Sequence, residues 1–100
     1  MLIIPTVATP AQTLTVTLAN QPCSISIYQK STGLYIDLYV NGVLIIGGVI
    51  CLDAVKIVRD AYFGFVGDLA FFDTQTASDP DYTGLGSQFV LAYLEAGIDV

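Results

Sequence analysis

Histidine and tryptophan are missing from this chain, and basic residues nearly so. Without an imidazole there is no base for a Ser or Cys nucleophile, which removes the usual catalytic triads. Only Cys23 and Cys51 carry thiols, so a structural zinc site lacks an adequate ligand set. Lys30, Lys56 and Arg59 are the whole cationic complement against nine acids, a formal charge of −6. Three cations cannot build the patch that displaces counterions from nucleic-acid phosphates, and an anionic membrane surface is disfavoured for the same reason. Long apolar runs are also lacking. The longest, "VLIIGGVICL" at 43–52, is far short of the roughly 20 residues that span a bilayer. The opening "MLIIPTVATPAQ" has neither the basic n-region nor the continuous h-region of a signal peptide. These absences lead us to expect a protein made and kept in the cytosol until assembly, with both thiols reduced and buried.

What is present is apolar. Hydrophobic residues make up 54% of the chain and charged residues 12%, against typical values of about 45–50% and about 25%. One hundred residues suit a single domain with one modest core, and such a domain cannot hide that much apolar surface alone. Some of it is expected to be covered by another protein, as in a component of an assembly.

The hydrophobic period is two almost throughout. In "TLTVTLAN", Leu14, Val16 and Leu18 oppose Thr13, Thr15 and Thr17; in "CSISIYQ", Cys23, Ile25 and Ile27 oppose Ser24, Ser26 and Tyr28. The intervening "NQP" reads as the turn of a hairpin. "LYIDLYV" sets Leu34, Ile36, Leu38 and Val40 against Tyr35, Asp37 and Tyr39, and ends at Asn41-Gly42, the signature of a type I′ turn. "VLIIGGVI" must pair back on it. That register puts Val43 and Ile45 inside, facing Val40 and Leu38, and puts Leu44 and Ile46 outside with Tyr39 and Asp37. An outer face so rich in apolar side chains is expected to be covered. Gly47-Gly48 suggests a bend or bulge. The segment 53–62 fits a short helical turn or a strand, and its β-branched content favours strand or irregular structure. "FVGDLAFF" and "FVLAYLE" are two further strands. The expected fold is all-β: one domain over 1–100, a small antiparallel barrel or sandwich of about seven short strands.

The polar run "DTQTASDPDYTGLGSQ" at 73–88 invites a search for chemistry. Asp60, Asp68, Asp73, Asp79 and Asp81 could supply a carboxylate pair, but no phosphate-binding loop accompanies them. The spacing of Asp73, Asp79 and Asp81 does not follow the EF-hand order. Asp-Pro, Thr-Gly and Gly-Leu-Gly are the turn chemistry of a shaped surface loop, and a loop this long in so small a domain suits binding more than catalysis. The six tyrosines, Tyr28, Tyr35, Tyr39, Tyr62, Tyr82 and Tyr93, raise a second possibility, a sugar-stacking platform on a β-sandwich. The absence of Trp, and the placing of Tyr35 and Tyr39 beside Leu44 and Ile46, favour a protein interface.

The stretches "GLYIDLYVNG" (33–42), "GVICL" (48–52), "IVRDAYFGFVGDLAFFDTQ" (57–75) and "DPDYTGLGSQFVLAYL" (79–94) together resemble the baseplate plug proteins of contractile-tailed bacteriophages. The resemblance spans most of the chain; the first thirty residues match mainly in pattern. It implies a virion structural protein near the axis of the distal tail, packed against hub, spike or tube-end proteins, in several copies around that axis. It implies neither an enzyme nor a cofactor, and supplies no catalytic residues. The interface residues therefore come from patterning: Tyr35, Tyr39, Leu44 and Ile46 on the hairpin's outer face, and Asp79, Tyr82 and Leu85 in the loop. The alternative is a small carbohydrate-binding module.

Overall fold

The computed structural model describes residues 2–59 and 65–99. Asp60 and Tyr62, and with them the end of the ambiguous 53–62 segment, lie outside the described residues. Seven strands follow in chain order: β1 (Leu2–Ile4), β2 (Ala11–Leu18), β3 (Gln21–Lys30), β4 (Gly33–Val40), β5 (Val43–Ile50), β6 (Asp68–Asp73) and β7 (Phe89–Leu94). They form two antiparallel sheets, a four-stranded meander β2-β3-β4-β5 and a three-stranded sheet β1-β7-β6. One buried cluster draws on both sheets, from Ile25, Ile36 and Leu38 on one side to Leu69, Phe71 and Leu91 on the other. The expected all-β fold is thus a sandwich rather than a closed barrel.

Turn chemistry sets the meander. Asn41 and Gly42 both have positive φ, 53° and 77°, and join β4 to β5 by the two-residue turn read from the sequence. The first hairpin differs from expectation by one step. Its turn is Ala19-Asn20, with φ of 50° and 63°, and Gln21 already pairs with Leu18. "NQP" is therefore mostly strand. Pro22 is tolerated near the end of β3 because it lies beyond Cys23, the last β3 residue paired with β4.

Alternation then sorts the faces. Cys23, Ile25 and Ile27 on β3, with Leu34, Ile36 and Leu38 on β4, are all buried, whereas Ser24, Ser26, Tyr28, Tyr35, Asp37 and Tyr39 form the outer face. Both cysteines are free and buried, and burial pushes the Cys51 thiol up to about 12.

One strand was not read from the sequence, and one ambiguous segment resolves as irregular. Strand β1, a three-residue apolar run without alternation, pairs with β7 (Ile3 opposite Ala92). The part of the ambiguous segment that is described, 53–59, is irregular and runs along the outer edge of β6. Asp53 bridges Phe71, and the amides of Ala54 and Ile57 donate to the carbonyls of Phe71 and Leu69, both at 2.8 Å. Positive φ at Ala54 (57°) and Arg59 (70°) excludes a helical turn through those positions. Asp68 anchors this segment. Its buried carboxylate accepts from the amides of Val58 (2.8 Å), Arg59 (2.8 Å) and Leu69 (2.7 Å).

Candidate functional site

The outer face of the meander carries three of the residues singled out above. Tyr35 and Tyr39 alternate out of β4, and Leu44, opposite Tyr39, is 52% exposed. The fourth is a correction: Ile46 turns inward and is 8% exposed. The cause is a pair of bulges. Tyr39 pairs with Leu44, but Leu38 pairs with Ile46, leaving Ile45 as an extra residue. Ile36 then pairs with Val49, so that Gly47 and Gly48 together oppose Asp37. Each inserted residue reverses the parity of the strand beyond it. Ile46 therefore replaces Ile45 opposite Leu38, and Ile50 emerges on the outer face opposite Tyr35. The near-turn residue Val43, expected inside, is exposed.

Asp37 holds the second bulge. Its Oδ1 accepts from the Gly48 amide (2.7 Å) and from the Tyr28 hydroxyl (2.9 Å). Gly48 has φ of +65°, which a residue with a side chain adopts only under strain. Partial desolvation and the neighbouring Asp37 carboxylate raise the Tyr28 pKa, so its phenol stays a donor. Tyr28 faces Tyr35 across β3 and β4, the rings stacked at 6.1 Å with 21° between their planes. Lys30 Nζ sits 5.4 Å from each ring centroid. The platform is thus Tyr28, Tyr35 and Tyr39 in the middle, with Leu44 and Ile50 along the β5 side. Tyr28, Lys30 and Ile50 were not among the interface residues read from the sequence. Exact pairing from the β3–β4 turn would have placed Tyr28 opposite Tyr35; Ile50 shares the outward parity of Leu44, and the bulges only bring it opposite Tyr35.

The loop between β6 and β7 is built from its own carboxylates, as its turn chemistry suggested. Asp73 accepts from the amides of Gln75 (2.8 Å) and Ser78 (2.6 Å), the Thr76 hydroxyl (3.0 Å) and the Gln88 side chain (3.2 Å). Desolvation raises the Asp73 pKa, but these donors outweigh it and hold the carboxyl well below the usual range. Asp81 caps the 3-10 turn Tyr82–Gly84, taking the Thr83 amide (2.9 Å) and its hydroxyl. Asp79 accepts from the Asp53 amide at 3.0 Å, and the Asp53 carboxylate in turn accepts from the Asp73 amide at 2.8 Å. Each carboxylate serves separate backbone donors. Among the described residues no group of three or more His, Cys, Asp or Glu could hold a metal ion.

This geometry also places the three loop residues. Asp79 is exposed, Tyr82 is half-buried against the core, and Leu85 is only 3% exposed within it. Leu85 is a core anchor, drawn in as its bridge to Phe89 closes the loop. The Tyr82 amide donates to Gln29 Oε1 at 3.1 Å, and Gln29 lies on the face of β3 shared with Ile25 and Ile27. Loop and tyrosine platform therefore lie on opposite sides of the meander. The sequence-derived set divides into an outer face and a structural cover, with no common surface.

A second exposed apolar area was missed. Leu2, Ile3 and Val7 near the N-terminus are 48%, 50% and 62% exposed. Ile3 pairs with Ala92, which pairs with Ala70 on β6; both alanines are buried, so the exposed area is confined to the β1 edge.

Two unequal sheets, with apolar side chains exposed on the outer face of the meander and around β1, and with carboxylates engaged in holding backbone, define a small β-sandwich. A family model described as cyanophage baseplate Pam3 plug gp18 matches residues 1–96. The chain belongs to this baseplate plug family of tailed phages, structural components of the virion tail. No curated protein matches it.

Proposed function

We propose that the chain is a plug or adaptor subunit near the axis of a contractile tail's baseplate, bound to hub, spike or tube-end proteins through the outer face of its meander. The observation that carries this reading is the tyrosine platform flanked by exposed Leu44 and Ile50. Tyr is enriched at interface cores, and a few such anchors dominate binding. The exposed apolar residues of β1 offer a second contact, which suits a subunit held between neighbours. The loop 73–88 acts through its fold, fixing one end of the sandwich.

Tyr28 and Tyr35 stack on each other with Lys30 beside both rings, an arrangement that favours a protein partner over sugar stacking. The test is co-purification with candidate hub, spike and tube-end proteins. Leu44→Asp and Tyr39→Ala should each weaken capture at least tenfold while leaving the fold intact. Undiminished capture by both variants, or a glycan array on which the wild type binds specifically, contradicts the reading.

A further inference from the structure

We propose that the free edge of β2 pairs antiparallel with the same edge of a second copy, across a two-fold axis at Leu14. The inference does not depend on the baseplate reading. Sheet edges invite pairing unless something blunts them, and three of the four edges here are blunted. Strand β1 is three residues long and is followed by Pro5. The β6 edge is covered by the backbone of 53–59. Strand β5 is bent by its two bulges, with the Gly48 amide taken by Asp37.

Strand β2 has none of these devices. Its eight residues, "AQTLTVTL", contain no charge, no proline and no bulge, and they pair in unbroken register with β3. The two-residue turn makes Leu18 and Gln21 a hydrogen-bonded pair. By alternation, Ala11, Thr13, Thr15 and Thr17 then turn their amides and carbonyls outward. Among the described residues, none of these groups makes a backbone bond outside the sheet.

Charge selects the occupant. All nine acids fall from Asp37 onward, and Lys30 is the only charged side chain in residues 1–36. Strand β2 and its neighbour β3 thus carry no carboxylate, so two chains of charge −6 can pair there without acids on the meeting strands. Hydrogen-bonding parity, with the condition that all four outward residues find partners, fixes the register. Thr13 of one copy pairs with Thr15 of the other, Ala11 with Thr17, and Leu14 meets Leu14 at the axis in a non-hydrogen-bonded pair. Leu14 and Val16, half-buried at the rim of the core, become covered. Outward-facing Thr13 and Thr15 form cross-strand pairs of a favourable type. The pairing is isologous and closes at two copies. It also joins the two outer faces into one.

Sedimentation across a concentration series should give a dimer for the wild type. Thr15→Pro removes an outward amide without breaking the ladder to β3, and Thr15→Lys adds an edge charge. Both should halve the mass while the β-sheet circular dichroism persists. Leu14→Cys should form a disulfide-linked dimer on mild oxidation, since it alone meets its own copy. A wild type that stays monomeric throughout, a Thr15→Lys variant that remains dimeric, or a Leu14→Cys dimer that does not cross-link would overturn the proposal.

Discussion

At the scale of single residues, the described aspartates act as backbone acceptors, and their consequences differ with burial. Asp68 is buried and satisfies three amides. Asp68→Ala orphans donors that cost about 1–3 kcal/mol each. The expected loss is roughly 3 kcal/mol or more, read as a lower urea midpoint, with Asp68→Asn milder because one acceptor oxygen remains. Asp73 gives a pH-dependent signal instead. Its folded pKa is held below the ordinary 3.8 by the loop's donors. The ionised form is therefore favoured in the fold, and its stabilisation is complete above the unfolded pKa. It is lost as pH falls from about 4 toward the lower folded value, because the unfolded chain then takes up the proton first. The melting temperature of wild type should exceed that of Asp73→Asn at pH 7, and the gap should narrow steadily as the pH is lowered below about 4. A gap independent of pH would mean that the charge of Asp73 contributes nothing.

Among elements, backbone conformation decides more than side-chain pattern. Gly42 and Gly86 both have positive φ, 77° and 82°. A side chain at Gly42 would meet open space, whereas one at Gly86 would strike the Thr6 carbonyl. Gly42→Ala should cost about 1–2 kcal/mol, the penalty of a left-handed alanine. Gly86→Ala should cost clearly more, since it also forces the loop off the chain leading into β2. Chemical denaturation of the two variants checks that order. The same distinction explains what could be read in advance. Strands β2 to β4 were legible because one side chain in two is buried, and the β4–β5 turn because Asn-Gly tolerates positive φ. Gly47-Gly48 was legible as a bulge. Its effect on the faces was not, because the first inserted residue, at Ile45, reverses parity ahead of the glycines and the second restores it; that is why Ile46 was placed outside. Leu85 was misplaced for another reason. Loop composition shows that a chain turns, not which of its side chains reaches the core. Strand β1 is too short to show any period at all.

For the whole molecule, the apolar excess of the composition becomes surface with an address. One core takes the inner faces of both sheets. Leu44 and Ile50 beside the tyrosines, and Leu2, Ile3 and Val7 around β1, remain outside. A two-fold pair through β2 would leave the platform uncovered, so self-association and docking use different parts of the molecule and can be separated by mutation. Membership of the plug family places the chain among tail baseplate components; the platform is the surface we assign to contact with its neighbours. The most direct test is quantitative capture of hub, spike or tube-end proteins by wild type and by Leu44→Asp, with Thr15→Pro as the variant that removes an edge amide without adding a charge to the outer face. Capture lost in Leu44→Asp and kept in Thr15→Pro is the predicted result. Full capture by a folded Leu44→Asp variant would contradict the assignment of the outer face as the docking surface.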